Sequence, residues 1–415
     1  MPLRRASIVV GIVVAAAAVV LALTLFHKGR APGREAPDHQ AAGRADSLGG
    51  MRNLTPEQRE RLERIATLGY VAGTAPVPAE TGVTRYVRGA AFEGYTLFTA
   101  GAGAEAFLID MEGEVVHRWA SPGAPTWVRV RCLSNGDLLV VTSKPFPAVS
   151  PCRMMKLDSR SRVLWRYGRP AHHDFDIGPD GTIYVLVRRA LTLPELRDGE
   201  PTLDDAIAIL DRNGNETGHV SIYESFRRSE RYGTWLDEVE MREGPDMFHT
   251  NSIEIFERDG RLHALLSLRH VHALAIIDMV AREVVWVKQG PWRMQHEATF
   301  VEGGILFFDN VGLGDRSRVL EIDPETSEIL WEYAEEGFYT KGRGAQQRLP
   351  NGNTLISESE RGRIFEITRS GETVWEYINP RTAPRDDSTV LAILRAERLP
   401  ADFPLDWARG EDAPD

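Results

Sequence analysis

Three stretches of the chain begin with histidine and run on into apolar residues: "HHDFDIGPDGTIYVLV" (172–187), "HTNSIEIFERDGRLHALL" (249–266) and "HEATFVEGGILFFDN" (296–310). A fourth, "SLRHVHAL" (267–274), adds Arg269, His270 and His272. Further polar residues recur at comparable places: Arg129 and Arg131, then Asp309, Asn310, Arg316 and Arg318, then Gln346 and Gln347. Imidazole can donate, accept or attack, and guanidinium offers a fork to an oxyanion. Gathered around one opening, such groups suit an anionic ligand and the transfer of a sulfuryl or phosphoryl group. Positive donors steady the peripheral oxygens, one histidine nitrogen takes the group, and a second moves the proton of the leaving oxygen. No P-loop is present, and "AGAGAEAF" (100–107) is too short for a dinucleotide fingerprint, so no nucleotide donor is indicated.

The elements that position these residues follow from a repeat. An Asp, a turn and an apolar run ending in Trp recur as "IDMEGEVVHRW", "LDSRSRVLWRYG", "IIDMVAREVVWVKQG", "EIDPETSEILWEY" and "EITRSGETVWEY". The tryptophans 119, 165, 286, 331 and 375 are spaced by 46, 121, 45 and 44 residues. The long gap holds one degenerate unit, "AIAILDRNGNETGHVSIY", which makes six units. Each unit also carries an early hairpin turn, as in "LSNGDLLVV", "GPDGTIYVLV" and "LPNGNTLIS". Four short strands in about 45 residues is the pattern of a propeller blade. The fold expected is therefore all-β, a six-bladed β-propeller over 84–380, with the tryptophans packing between blades. On a propeller, the starts of the inner strands and the loops between second and third strands share one face. That places six of the eleven histidines, 172, 173, 249, 270, 272 and 296, on one rim. The longest insertions, near 189–205 and 222–246, belong to the same face.

Composition bounds the rest. A net charge of −11 and no concentrated basic face exclude a general nucleic-acid binder. Two cysteines, Cys132 and Cys152, form no zinc spacing and no disulfide framework. Residues 1–5 carry Arg4 and Arg5, and Ala6–Phe26 is an uncharged, mostly apolar run of 21 residues. It reads as an uncleaved signal anchor crossing the inner (cytoplasmic) membrane once, with the propeller on the extracytoplasmic side. Residues 27–53 read as a flexible linker. Residues 54–83 read as a short helix and connection, with Thr55, Pro56 and Gln58 as its start signals and an end near Gly69. Residues 381–415 read as a C-terminal extension.

The phrases "FHTNSIEI", "SLRHVHALAIID", "MQHEATF…FFDN" and "GRGAQQRLPNGNTLISESERGRIFEITRSGETVWEYINP" resemble the bacterial PAPS-independent arylsulfotransferase family over about residues 90–400. The resemblance implies a six-bladed propeller with a central site of histidines and an arginine. It implies ping-pong transfer of a sulfuryl group from an aryl sulfate to a phenol through a sulfo-histidine, without a cofactor and without a metal. Carried over residue by residue, His249, His296, His270, Arg269 and Arg316 become the catalytic set. His172, His173, His272, Asn310 and Gln346, placed on the same face by the repeat, are expected to bind substrate. The last unit opens on "GAQQRL" and offers no histidine, so His296 or His249 takes the nucleophilic role. The N-terminal β-sandwich of some members is replaced here by anchor, tether and helix. A non-catalytic, membrane-anchored propeller binding a glycan, peptide or protein partner is the alternative. A quinoprotein-like or metal-binding propeller, with ligands from "HHD" (172–174), is a further one.

Overall fold

The computed structural model describes residues 75–101, 103–122, 125–142, 154–193, 200–239, 245–383 and 386–408. The expected membrane anchor, the linker and the short helix lie outside them. Among the described residues no helix is long and apolar enough to cross a membrane.

Six antiparallel sheets make the six blades. Blades 2 to 5 are each built from four consecutive strands. Their inner strands are Trp127–Cys132, Ala171–Ile177, Thr250–Arg258 and His296–Val301. Blade 6 starts with Ala345–Arg348 and gains Gly82–Tyr86 as a fifth, outermost strand. Blade 1 takes its innermost strand from the other end of the chain. Ile393–Pro400 pairs with Gly94–Ala100 along its length. The segment assigned to a C-terminal extension therefore closes the ring, and the propeller extends past residue 380.

The tryptophans do what the repeat predicts, and the structure adds the reason. Each indole N–H reaches a turn carbonyl in the next blade: Trp119 to Gly136, Trp165 to Arg212, Trp286 to Pro324, Trp331 to Arg369 and Trp375 to Met111. The indole thus fills the gap between blades and satisfies a carbonyl there. The step from blade 3 to blade 4 has no such indole. A helix, α1 (Ile222–Arg228), packs there instead, and Phe226 stacks on Phe248 with ring centroids 5.7 Å apart. Thus the degenerate unit is a complete blade whose outer contact has been rebuilt by an insertion.

Inner strands leave one edge unpaired toward the axis, and its N–H groups need partners. Side chains of the neighbouring blade supply them. Asp174 accepts from the N–H of Ile253, Asp176 from Ile255, Ser252 from Ala298, Glu254 from Phe300 and Ser357 from Ala396. Much of the polar character of these strands is therefore structural. Bonds of this kind contribute about 1 kcal/mol each, and more when the acceptor is charged.

Candidate active site

One pocket is lined by the inner-strand ends of all six blades. It holds about 790 Å³ of non-atom space, mouth included. Its wall carries His173, His249 and His296, four arginines (129, 269, 343, 395), Asp174, Glu297 and Asn251. Val128, Leu394 and Ala345 supply apolar surface.

The local geometry that aims these side chains is a set of breaks in strand register. The extra residue falls at Val128 in blade 2, at Asn251 in blade 4, within 297–298 in blade 5 and at Leu394 in blade 1; in blade 3 the break spans 172–174. A bulge turns an additional side chain out of the ladder, and each of these places a residue on the pocket wall. His173, His249 and Glu297 sit at φ of 55°, 49° and 55°, a region that side-chain-bearing residues seldom occupy. Such strain concentrates where a site must be held in one shape.

Hydrogen bonds fix the protonation pattern of His296. The Asn310 amide nitrogen donates to the carbonyls of Thr340, at 2.7 Å, and Arg343. Its Oδ1 therefore faces His296 and accepts from Nδ1 at 2.6 Å, while the Met294 carbonyl also accepts from Nδ1 at 3.0 Å. With the proton pinned on Nδ1, Nε2 keeps its lone pair. Burial pushes His296 down to about 3, and Arg269 adds to the effect, so the ring is neutral at neutral pH.

His249 is held differently. Its Nδ1–H donates to Asp246 at 2.5 Å. An Arg188 guanidinium nitrogen lies 3.2 Å from Asp246 and 3.1 Å from the same Nδ1 of His249; the shorter contact of that Nδ1, to the carboxylate, is the one that needs its proton. Burial pushes the Asp246 carboxyl up, but Arg188 and His249 outweigh it and hold it well below the usual range. Burial takes His249 down to about 3 against the pull of Asp246. His270 packs against His249 with ring centroids 4.5 Å apart and the planes tilted by 32°, and its Nδ1 donates to the Asp246 carbonyl at 2.8 Å. His173 meets the other side of His249 at 4.7 Å. Asp246, His249 and His270 bring donor atoms within 4.8 Å of one another, the spacing of a metal site. The Arg188 guanidinium against two of them opposes a cation, and the set reads as a hydrogen-bonded acid–base group.

The remaining arginines differ in their pairing. Arg129 donates to Asp174 at 2.6 Å. Arg395 meets Glu297 and lies 3.5 Å from Asp174. Burial pushes Glu297 up to about 7 against the pull of Arg395. Arg269 and Arg343 bring the wall to four guanidinium groups against two carboxylates. With the histidines neutral, the pocket carries an excess of positive charge and favours an anionic ligand.

His249, His296, Arg269 and His173 line one pocket, and His270 backs His249. Asn310 orients His296. Arg316 does not reach the site: its side chain is 45% exposed and turns to Asp315. Its loop faces solvent, and the nearby buried arginine, Arg318, is tied to Asp309 and the Pro291 carbonyl. His172 lies behind His173, with Nδ1 atoms 2.8 Å apart and its Nε2 3.3 Å from Asp205. His272 is a loop brace that accepts the Met294 N–H at 3.1 Å. Gln346 ties blade 6 to blade 5 by donating to the carbonyls of Glu297 and Leu306. Asp246, Arg188, Asn251, Glu297, Arg343 and Arg395 were not singled out from sequence. Arg343, in "GRGAQQRL", precedes an inner strand as the histidines do, and that signal was available.

A six-bladed propeller with an axial pocket of neutral histidines and arginines defines the class. The chain belongs to the arylsulfotransferase (ASST) family, whose profile matches residues 129–380. No curated protein matches the sequence. Among solved structures, the chain is similar to a protein of unknown function from Bacteroides caccae at 15% identity, covering 73% of this chain and 99% of that one, with a TM-score of 0.48. It is also similar to a streptogramin B lyase (15% identity, 75% and 87% coverage, TM-score 0.44). A virginiamycin B lyase from Staphylococcus aureus follows (12% identity, 74% and 88% coverage, TM-score 0.42).

Proposed function

We propose that the protein transfers a sulfuryl group from an aryl sulfate to a phenol through a sulfo-histidine on His296. The observation that carries this reading is the pinned Nδ1 proton of His296, which leaves a neutral, lone-paired Nε2 on an arginine-bearing wall. Family membership supports it.

In the first half-reaction Nε2 of His296 attacks sulfur. The S–N bond forms, the S–O(aryl) bond breaks, and the departing oxygen takes a proton from His249. The bound anionic donor raises the basicity of His249 so that it carries that proton, and Asp246 stabilises the charged ring. In the second half the acceptor hydroxyl gives its proton to His249 as its oxygen attacks sulfur. The S–N bond breaks and His296 returns to neutral. Arg269, beside His296, balances charge on the sulfuryl oxygens. No nucleotide, metal or other cofactor is needed to close this cycle.

Blade 6 presents Ala345 where a histidine would have added to the site, and that favours a second reading, a non-catalytic propeller binding an anionic glycan or peptide. Incubation with 4-nitrophenyl sulfate and phenol separates the two. Nitrophenolate release that depends on phenol supports transfer, and its absence at high enzyme concentration supports binding alone. The apolar run Ala6–Phe26 supports a membrane-anchored, extracytoplasmic site of action. Recovery of the full chain in the soluble cytosolic fraction would contradict that assignment.

A further inference from the structure

Glu297 follows His296 in the chain and lies in the blade 5 bulge. The bulge places it on the pocket wall, among the four arginines. Blade 1 faces it with Arg395, its ion-pair partner, and with Glu397. Blade 2 contributes Arg129, blade 3 Asp174 and blade 4 Glu254. Blade 6 contributes the neutral Gln346 amide, which donates to the Glu297 backbone carbonyl.

The two carboxyl groups of the wall are held differently. Asp174 accepts from Arg129 and from the N–H groups of Phe175 and Ile253. Burial pushes Asp174 up, but Arg129, Arg395 and the Ile253 N–H outweigh it and hold it below the usual range. Glu297 shares Arg395 with Asp174, and burial wins, leaving it at about 7. One carboxyl of the wall is thus fixed in charge near neutral pH and the other is not. A sulfuryl group held at His296 and Arg269 brings negative charge into the same poorly screened space. Ionised Glu297 repels it, and that repulsion acts across several ångströms without contact. A proton on Glu297 removes the repulsion and releases the Arg395 charge from its pair.

We propose that Glu297 sets how tightly the pocket holds anionic substrates, weakening their binding when ionised and strengthening it when protonated. The proposal rests on the sulfuryl-transfer reading and deepens it by naming the residue that tunes affinity for the donor. The sign follows from linkage: a bound anion favours the protonated carboxyl, so binding takes up a proton and tightens as pH falls through about 7. His249 and His296, pushed down to about 3, stay neutral over that range.

The test measures binding to the full chain by titration calorimetry between about pH 6 and pH 8.5, on either side of the Glu297 transition. The probe is benzenesulfonate, an aryl anion whose carbon–sulfur bond keeps it from reacting. Benzenesulfonamide, close in shape and neutral over this range, is its control. Buffers of different ionisation enthalpy report the proton taken up. The affinity for benzenesulfonate is expected to fall about tenfold from the low to the high pH, with proton uptake centred near neutrality, while benzenesulfonamide changes by less than about twofold. Glu297→Gln keeps the size and an acceptor for Arg395 and loses the charge. It is expected to bind benzenesulfonate at the tight limit at every pH, without proton uptake. Thermal melts establish that the variant is folded, and the comparison of the two ligands in the unaltered protein stands without it. The proposal is overturned if benzenesulfonate does not bind, if its affinity is independent of pH, or if both ligands share one pH profile. It is equally overturned if the slope persists in Glu297→Gln, which would assign the proton to another group. Failure of the underlying activity reads differently, as no phenol-dependent nitrophenolate release from a protein that still binds the sulfonate in this pH-dependent way.

Discussion

At the scale of the residue, the site depends on where protons are held. Two imidazoles have their Nδ1 protons fixed by different partners, an amide for His296 and a carboxylate for His249. The amide fixes the tautomer and, being neutral, has only a weak pull toward the charged ring, which burial and Arg269 outweigh; that suits a nucleophile. The carboxylate stabilises the imidazolium, which suits a proton carrier. Asp246→Asn tests that division. Removing the charge should lower kcat by about a hundredfold or more, with a larger loss for phenyl sulfate than for 4-nitrophenyl sulfate, whose leaving oxygen needs little protonation. Equal losses for both donors would contradict proton transfer through His249. Arg316→Ala is expected to leave rates within about twofold, as an exposed side chain outside the pocket should. The sequence made the histidine cluster legible because ring position follows from repeat register. It did not show Asp246, which lies in a connection between blades where no repeat constrains it, nor the failure of Arg316, whose loop turns outward.

At the scale of the element, the bulges do the aiming. A regular inner strand would alternate its side chains between the two faces of the blade, and the extra residue breaks that alternation at the rim. The sequence shows the strands by their apolar runs and Asn-Gly or Asp-Gly turns, yet a one-residue insertion leaves no mark on that pattern. Asn251 and Glu297 were missed for this reason. Blade 6 reaches the pocket by another device. Gly344 has φ of +122°, and a Cβ there would lie 2.6 Å from the ring of Phe308. Gly344→Ala should therefore lower stability by about 1–3 kcal/mol and reduce turnover, since Arg343 and Ala345 are displaced with it. Chemical denaturation and donor turnover measured on one preparation check this, and an unchanged midpoint with unchanged turnover would show that the cradle is not needed.

At the scale of the whole molecule, the ring gathers residues from positions 128 to 395 around one axis. Closure was not legible in the sequence, because the strand Ile393–Pro400 pairs with Gly94–Ala100 across almost the whole domain and carries no Trp phrase to mark it. That strand brings Leu394 and Arg395 to the pocket, so the site is complete only when the ring is. Burying neutral histidines at the axis also makes stability depend on pH. In the unfolded chain imidazole takes up a proton near pH 6.5, whereas folded His296 does so near 3. Between those values the unfolded state binds more protons, so stability is full above the unfolded value and is lost as pH falls. Relative to His296→Asn, the unaltered protein should lose about 1.4 kcal/mol per pH unit across that window. A difference that stays constant with pH would contradict the buried, neutral ring. The most direct test of the account is the intact mass of the protein after exposure to an aryl sulfate without acceptor. The protein is expected to gain one acid-labile sulfuryl group, absent in His296→Asn and discharged by added phenol. No gain in the unaltered protein under conditions of turnover, or the same gain in His296→Asn, would contradict it.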